Sequence, residues 1–148
     1  MIRGACHCGN ISFELPWEPA PTTIPARACS CTFCVKHGGV WTANAASSLV
    51  VTLAQPELVS RYEHGTRTAQ FHVCTRCGVV PVVTSEIEGR TYAVVNTNTF
   101  DDVARALLQP VPVNLDGETL EARLSRRKRG WIGNVRLVTS VLAVTTPT

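Results

Sequence analysis

Gly4-Ala5-Cys6-His7-Cys8-Gly9 and Cys74-Thr75-Arg76-Cys77-Gly78 decide how this chain is read. Each stretch offers two thiols from one tight loop, and each ends on a glycine that lets the backbone curl. Zn²⁺ prefers four soft ligands in a tetrahedron, and two such loops supply them. Cys6, Cys8, Cys74 and Cys77 are therefore read as a closed, structural zinc site that ties the N-terminus to a central hairpin. A third stretch, Cys29-Ser30-Cys31-Thr32-Phe33-Cys34, carries the remaining thiols. Three thiolates on one short loop hold a metal and leave its fourth position open, which marks a working metal rather than a structural one. The expectation is two zinc ions per chain.

Other readings of the same thiols stand beside this one. Four cysteines also bind iron. The middle stretch could be reactive thiols beside a single zinc. Unliganded core cysteines and a disulfide scaffold are further options. The chain has seven cysteines, an odd number, so complete disulfide pairing is impossible. Arg3 and Cys6 arrive before any apolar run, so no export signal is read, and reduced thiols in the cytoplasm are expected. The apolar runs at 79–83 and 137–144 are far below the roughly 18 residues a membrane span needs.

Outward from the cysteines the pattern is mostly β. Ile11, Phe13 and Leu15 alternate along 10–15, and β-branched runs follow at 49–53, 58–62, 68–73, 79–84 and 91–96. Glu88-Gly89 suits a turn, and the proline-rich stretch 16–25 suits a loop. A short helix is expected over 101–108, capped by Thr99 or Asp101 and stopped by Pro110. Late strands are expected at 119–124 and 131–144. At 148 residues, 45% of them hydrophobic, the chain is read as one domain with a modest core that metal binding helps to close.

In order and spacing, these three cysteine stretches resemble the glutathione-dependent formaldehyde-activating enzyme family, which includes the centromere protein V domain. The resemblance runs from Gly4 to Phe100-Asp101-Asp102. It implies tent-like antiparallel β-sheets built around zinc sites, with a structural zinc at Cys6, Cys8, Cys74 and Cys77. It implies a catalytic zinc at Cys29, Cys31 and Cys34. The implied activity is that of a carbon–sulfur lyase forming S-hydroxymethylglutathione from glutathione and formaldehyde. Two features depart from the family pattern: His72 and Val73 separate Phe71 from Cys74, and a basic segment follows the matched region.

That segment spans 123–136. Up to Ala122 there are eight Lys/Arg against eleven Asp/Glu; from Arg123 onward there are six and none. Its centre, Ser125-Arg126-Arg127-Lys128-Arg129-Gly130-Trp131, has three readings: a solvated loop, an anion pocket, or a nucleic-acid contact. The anion pocket would bind substrate through Arg126, Arg127, Arg129 and Trp131. Nucleic acid is disfavoured, because only 6% of the chain is aromatic. Lys36 and His37 directly follow Cys34 and are the nearest candidates to protonate or neutralise an alkoxide. His37 could instead be a solvated loop residue or a fourth zinc ligand. The leading function is lyase-like chemistry on a thiol–aldehyde adduct. The alternative is a non-catalytic zinc module that binds an acidic protein or nucleic acid through its basic segment.

Overall fold

The computed structural model describes residues 1–139. In chain order the strands are β1 (Ile2–Ala5), β2 (Ile11–Leu15), β3 (Ile24–Cys29), β4 (Val40–Thr42), β5 (Ser48–Leu53) and β6 (Val59–Tyr62). They continue as β7 (Gln70–Cys74), β8 (Val82–Ile87), β9 (Arg90–Asn96), β10 (Leu108–Val113) and β11 (Asn134–Thr139). Two α-helices intervene: α1 (Thr32–His37) after β3, and α2 (Leu120–Gly130) before β11. One sheet has the order β1-β2-β5-β11, the other β10-β3-β4-β9-β8-β7-β6. The protein is mainly β, as the alternating runs require. Pairings are antiparallel except at one edge of each sheet, where β10 joins β3 and β11 joins β5 in parallel.

The seven-stranded sheet is covered on both faces. Along β8, Val82 and Val83 enter different cores; along β9, Ala93 and Val95 enter one core, Tyr92 and Val94 the other. Successive side chains point to opposite faces, so an unbroken buried run marks a strand packed on both sides. The first core lies against Ile11, Phe13, Leu15, Leu49 and Val51 of the smaller sheet. The second gathers Trp41, Phe71, Val83, Tyr92 and Val94 with Trp131, just past α2. Ile132 pairs with Ala93 by both backbone bonds, extending the ladder beside β9 beyond the end of β4.

Three expectations are corrected. The segment 101–108 is not an α-helix: one 3₁₀ turn at Arg105–Leu107 leads into β10. The prolines explain this. Val113 O accepts from Ser30 N, so residues 109, 111 and 113 face β3, while Pro110 and Pro112 face outward where no N–H is needed. The segment 119–124 is not a strand but the start of α2. Thr119 Oγ1 accepts from Ala122 N at 3.1 Å, Glu121 sits in the first turn, and Arg127, Lys128 and Arg129 occupy the last, matching the helix dipole at both ends. The basic run therefore lies in a helix and not in a loop between strands. The strand expected over 131–144 is β11 as far as Thr139, and its remainder lies outside the described residues.

Candidate functional site

The N-terminal and hairpin cysteines meet in space. Cys6 opens the knuckle after β1, Cys74 ends β7, and the four Sγ atoms of Cys6, Cys8, Cys74 and Cys77 all lie within 4.8 Å of one another. Cys6–Cys8 and Cys8–Cys74 are 3.8 and 3.5 Å apart. A tetrahedron with Zn–S bonds of 2.3 Å has edges of about 3.8 Å, so the donor set fits a tetrahedral metal. Gly9 and Gly78, at φ of +84° and +80°, turn each knuckle where a side chain would be strained. Ile11 N donates to Cys6 Sγ at 3.2 Å. Cys6 and Cys74 are buried in the first core. Burial pushes the Cys6 thiol up to about 12. Cys77 falls to about 6: burial opposes ionisation there, but backbone N–H groups and the neighbouring thiols outweigh it.

The second group lies on the opposite face of the seven-stranded sheet. Cys29 ends β3, Cys31 caps α1 and Cys34 sits within it; their Sγ atoms also lie within 4.8 Å of one another. Cys31 Sγ accepts from Cys34 N at 3.4 Å, Cys29 Sγ from Cys31 N at 3.5 Å, and Cys34 Sγ from Trp41 Nε1 at 3.4 Å. N–H groups aimed at sulfur favour thiolates. Cys29 is pulled down to about 5, first by the thiol of Cys34, with burial opposing and the Cys31 N–H and Arg123 assisting. Cys34 is pushed strongly up by sharing its proton with Cys29 and by burial. The first proton leaves easily and the next with difficulty, which is the state a bound cation relieves.

A cavity of about 470 Å³ opens beside this group. Cys29, Cys31 and Cys34 line it, and none of the other four cysteines does. Trp41, Phe71 and Trp131 form apolar wall. His64 also lines it, with its ring centroid 5.3 Å from both Phe33 and Phe71. Arg27, Arg123, Arg126 and Arg127 line the same space. Arg27 and Cys29 are two apart on β3 and so share a face, a pairing legible in the sequence but passed over.

Of the residues singled out from sequence, Arg126, Arg127 and Trp131 line the cavity, and Arg129 does not; its Nη1 bonds Ser125 Oγ at 2.9 Å. Lys36 is exposed on α1 and does not line the cavity. His37 is half-buried beside Phe33, outside the cavity wall, and burial lowers its pKa. Sequence reasoning missed Arg27, Trp41, His64 and Arg123.

Such a molecule is a mainly β protein with two cysteine groups that could each hold a metal ion, one of them open to a cavity. The family model of the glutathione-dependent formaldehyde-activating enzymes matches residues 1–113, and the chain belongs to that family. It is similar to the crystal structure of a Rhodobacter sphaeroides protein, with 30% identity over 74% of this chain and 97% of that one, and a TM-score of 0.57. No curated protein matches. Helix α2 lies beyond the matched residues. Among the described residues no helix is long and apolar enough to cross a membrane.

Proposed function

We propose that the protein is a zinc-dependent enzyme of the carbon–sulfur lyase type, acting on the adduct of a small thiol and an aldehyde. Glutathione and formaldehyde are the leading pair, as the family's description suggests. The observation that carries this reading is the cavity on the three-cysteine group, which gives a guest access to an incomplete ligand set. Cys29, Cys31 and Cys34 would hold the working ion, and Cys6, Cys8, Cys74 and Cys77 the structural one. The working ion would supply a lowered thiol pKa, so that the substrate sulfur is a thiolate at neutral pH.

The chain's own residues do the rest. Arg27 and Arg123 lie close enough to Cys29 to interact with its charge, and they keep the site from becoming too negative for an anionic guest. Trp41, Phe71 and Trp131 exclude water and confine the aldehyde near the sulfur. When the thiolate attacks, the C–S bond forms and the carbonyl π pair moves onto oxygen, which takes a proton. His64 lines the cavity and is assigned the proton transfer in place of Lys36 and His37. In the lyase direction the same group takes that proton back as the C–S bond breaks.

Magnetisation-exchange NMR with ¹³C-formaldehyde and glutathione measures adduct formation and breakdown against the uncatalysed rate. Zinc-loaded protein should raise the exchange rate, and Cys31→Ser should not. Wild-type exchange equal to the uncatalysed rate would remove the enzyme reading. The alternative of a basic docking module is weakened by where the basic run points: Arg126 and Arg127 face the cavity, and Arg127 is buried.

A further inference from the structure

The lyase reading leaves unexplained why α2, beyond the family match, turns so much charge inward. Arg127 and Trp131 are 6% and 7% exposed, and both line the cavity. Arg127 Nε and Trp131 Nε1 are buried without a hydrogen-bond partner. An unpaired buried donor costs about 1–3 kcal/mol, and both residues that carry one line the cavity, where a ligand could complete them. Arg126 is held from behind: its Nε and Nη2 bond the two carboxylate oxygens of Glu118 at 2.9 and 3.1 Å. Glu118 does not line the cavity, so it braces the guanidinium without filling the space in front of it.

The arginines also oppose one another. Four arginines line the wall; Glu118 pairs with Arg123 and Arg126 from behind it, and Asp116 is the one carboxylate on the wall itself. Packing like charges in a half-buried space is unfavourable unless an anion joins them. The cysteine group is at hand: Cys29, Cys31 and Cys34 line the same cavity, and Arg27 stands two residues from Cys29 on β3. A guest with sulfur at one end can therefore place an anionic group at the other.

We propose that the inner face of α2, with Arg27 from β3, is an anchoring site for a carboxylate on the thiol substrate, contacted by Arg126, Arg27 and the indole N–H of Trp131. The site selects thiols that carry a carboxylate over neutral thiols of equal reactivity. The proposal rests on the reading of Cys29, Cys31 and Cys34 as the place of the thiol, and its test separates the two.

Calorimetric titration of zinc-loaded protein with three probes makes that test. Glutathione has both functions, glutathione diethyl ester has the thiol without carboxylates, and S-methylglutathione has carboxylates without the thiol. Glutathione should bind at least tenfold more tightly than its diester. Arg126→Gln should shrink that gap below threefold and abolish the weaker binding of S-methylglutathione. Arg129→Gln, an equal loss of charge outside the cavity, should preserve the gap. Trp131→Phe keeps the ring and removes only the N–H, and should narrow the gap severalfold. Equal affinity for glutathione and its diester, with both lost in Cys31→Ser, would overturn the anchor and leave the thiol site standing. Persistence of the full gap in both Arg126→Gln and Trp131→Phe would also overturn the anchor. Failure of glutathione and its diester to bind at all would overturn both readings.

Discussion

Removing the charge of Arg127 while keeping its bulk should destabilise the protein by about half as much as removing the whole side chain. Burial, together with repulsion from Arg126 and Arg123, lowers its pKa from 12.5 to about 10. At 1.36 kcal/mol per unit, this disfavours the charged form by about 3 kcal/mol. Opposing this, Nη1 donates to Thr68 Oγ1 at 2.9 Å and Ser85 Oγ at 3.1 Å, with Thr68 O at 3.3 Å sharing one of its two protons. Two bonds from a charged donor contribute about 3–6 kcal/mol. The guanidinium carbon also lies 4.9 Å from the Trp131 ring centroid, a stack of about 1–2 kcal/mol. The balance favours the charge by about 1–5 kcal/mol, and about 2 kcal/mol, toward the lower part of that span, is expected. Arg127→Met should lose about that much. Arg127→Ala also gives up burial of the methylene stem, at about 0.8 kcal/mol per group, and should lose about 4 kcal/mol. For a chain of this size 1 kcal/mol moves Tm by about 3 °C, so the expected drops are about 6 and 12 °C. Thermal and urea unfolding at fixed free zinc would measure both, because zinc that binds only the folded state shifts Tm by itself. A methionine variant more stable than wild type would show that the bonds to Thr68 and Ser85 do not offset desolvation. Equal losses in the two variants would show that the stem contributes no packing.

The two cysteine groups should respond differently to mutation. Cys74→Ser, at a fully buried position in the first core, should lower bound zinc by one per chain and abolish cooperative unfolding, whereas Cys31→Ser should lose one zinc and keep it; metal analysis with circular dichroism would read both, and equal damage would refute the division. Glu118 predicts an acid-side effect on α2. Its carboxyl is held below its usual 4.5 by hydrogen bonds from Arg126, with Arg123 and Arg127 assisting. A depressed carboxylate stabilises fully above its unfolded value and loses that contribution as pH falls through the folded one. Glu118→Gln should therefore be less stable than wild type at pH 7, and the difference should shrink steadily below about pH 4.5; a pH-independent difference in urea midpoints would contradict the ion pair.

The metal-binding groups were legible because their signal is local: each cysteine group is a short run with its own turn chemistry, and the pairing of 6 and 8 with 74 and 77, read from the need for four ligands, is the one the fold brings together. The strands β2, β5, β8 and β9 were legible for the same reason, since alternation and β-branching are read within one strand. The parallel edges were not, because nothing within 108–113 or 134–139 names its partner, and both strands find theirs far back in the chain. The cavity was half legible: three of its cysteines and three members of the basic run were in view. Arg27, Trp41 and His64 come from three other segments that the fold alone assembles.

Helix α2 shows most clearly where reading by polarity misleads. Leu124 and Trp131, which pack in the same core, stand seven residues or two helical turns apart, and the turn between them needs a residue on that face. That residue is Arg127, read from sequence as one charge of the basic segment, in a solvated loop, an anion pocket or a nucleic-acid contact, and not as a core position. Its guanidinium lies against the Trp131 ring and its Nη1 donates to Thr68 and Ser85 in the seven-stranded sheet's neighbourhood, so it fills the position an apolar residue would otherwise hold. Arg123 and Arg126 lie on adjoining positions and turn with it toward the cavity, while Lys128 and Arg129 fall outside it. Given full weight as a core position, Arg127 completes the helical stripe. The same arginine that hid the helix brings positive charge to the cavity of the three-cysteine group, so the departure from the apolar pattern falls on the candidate site.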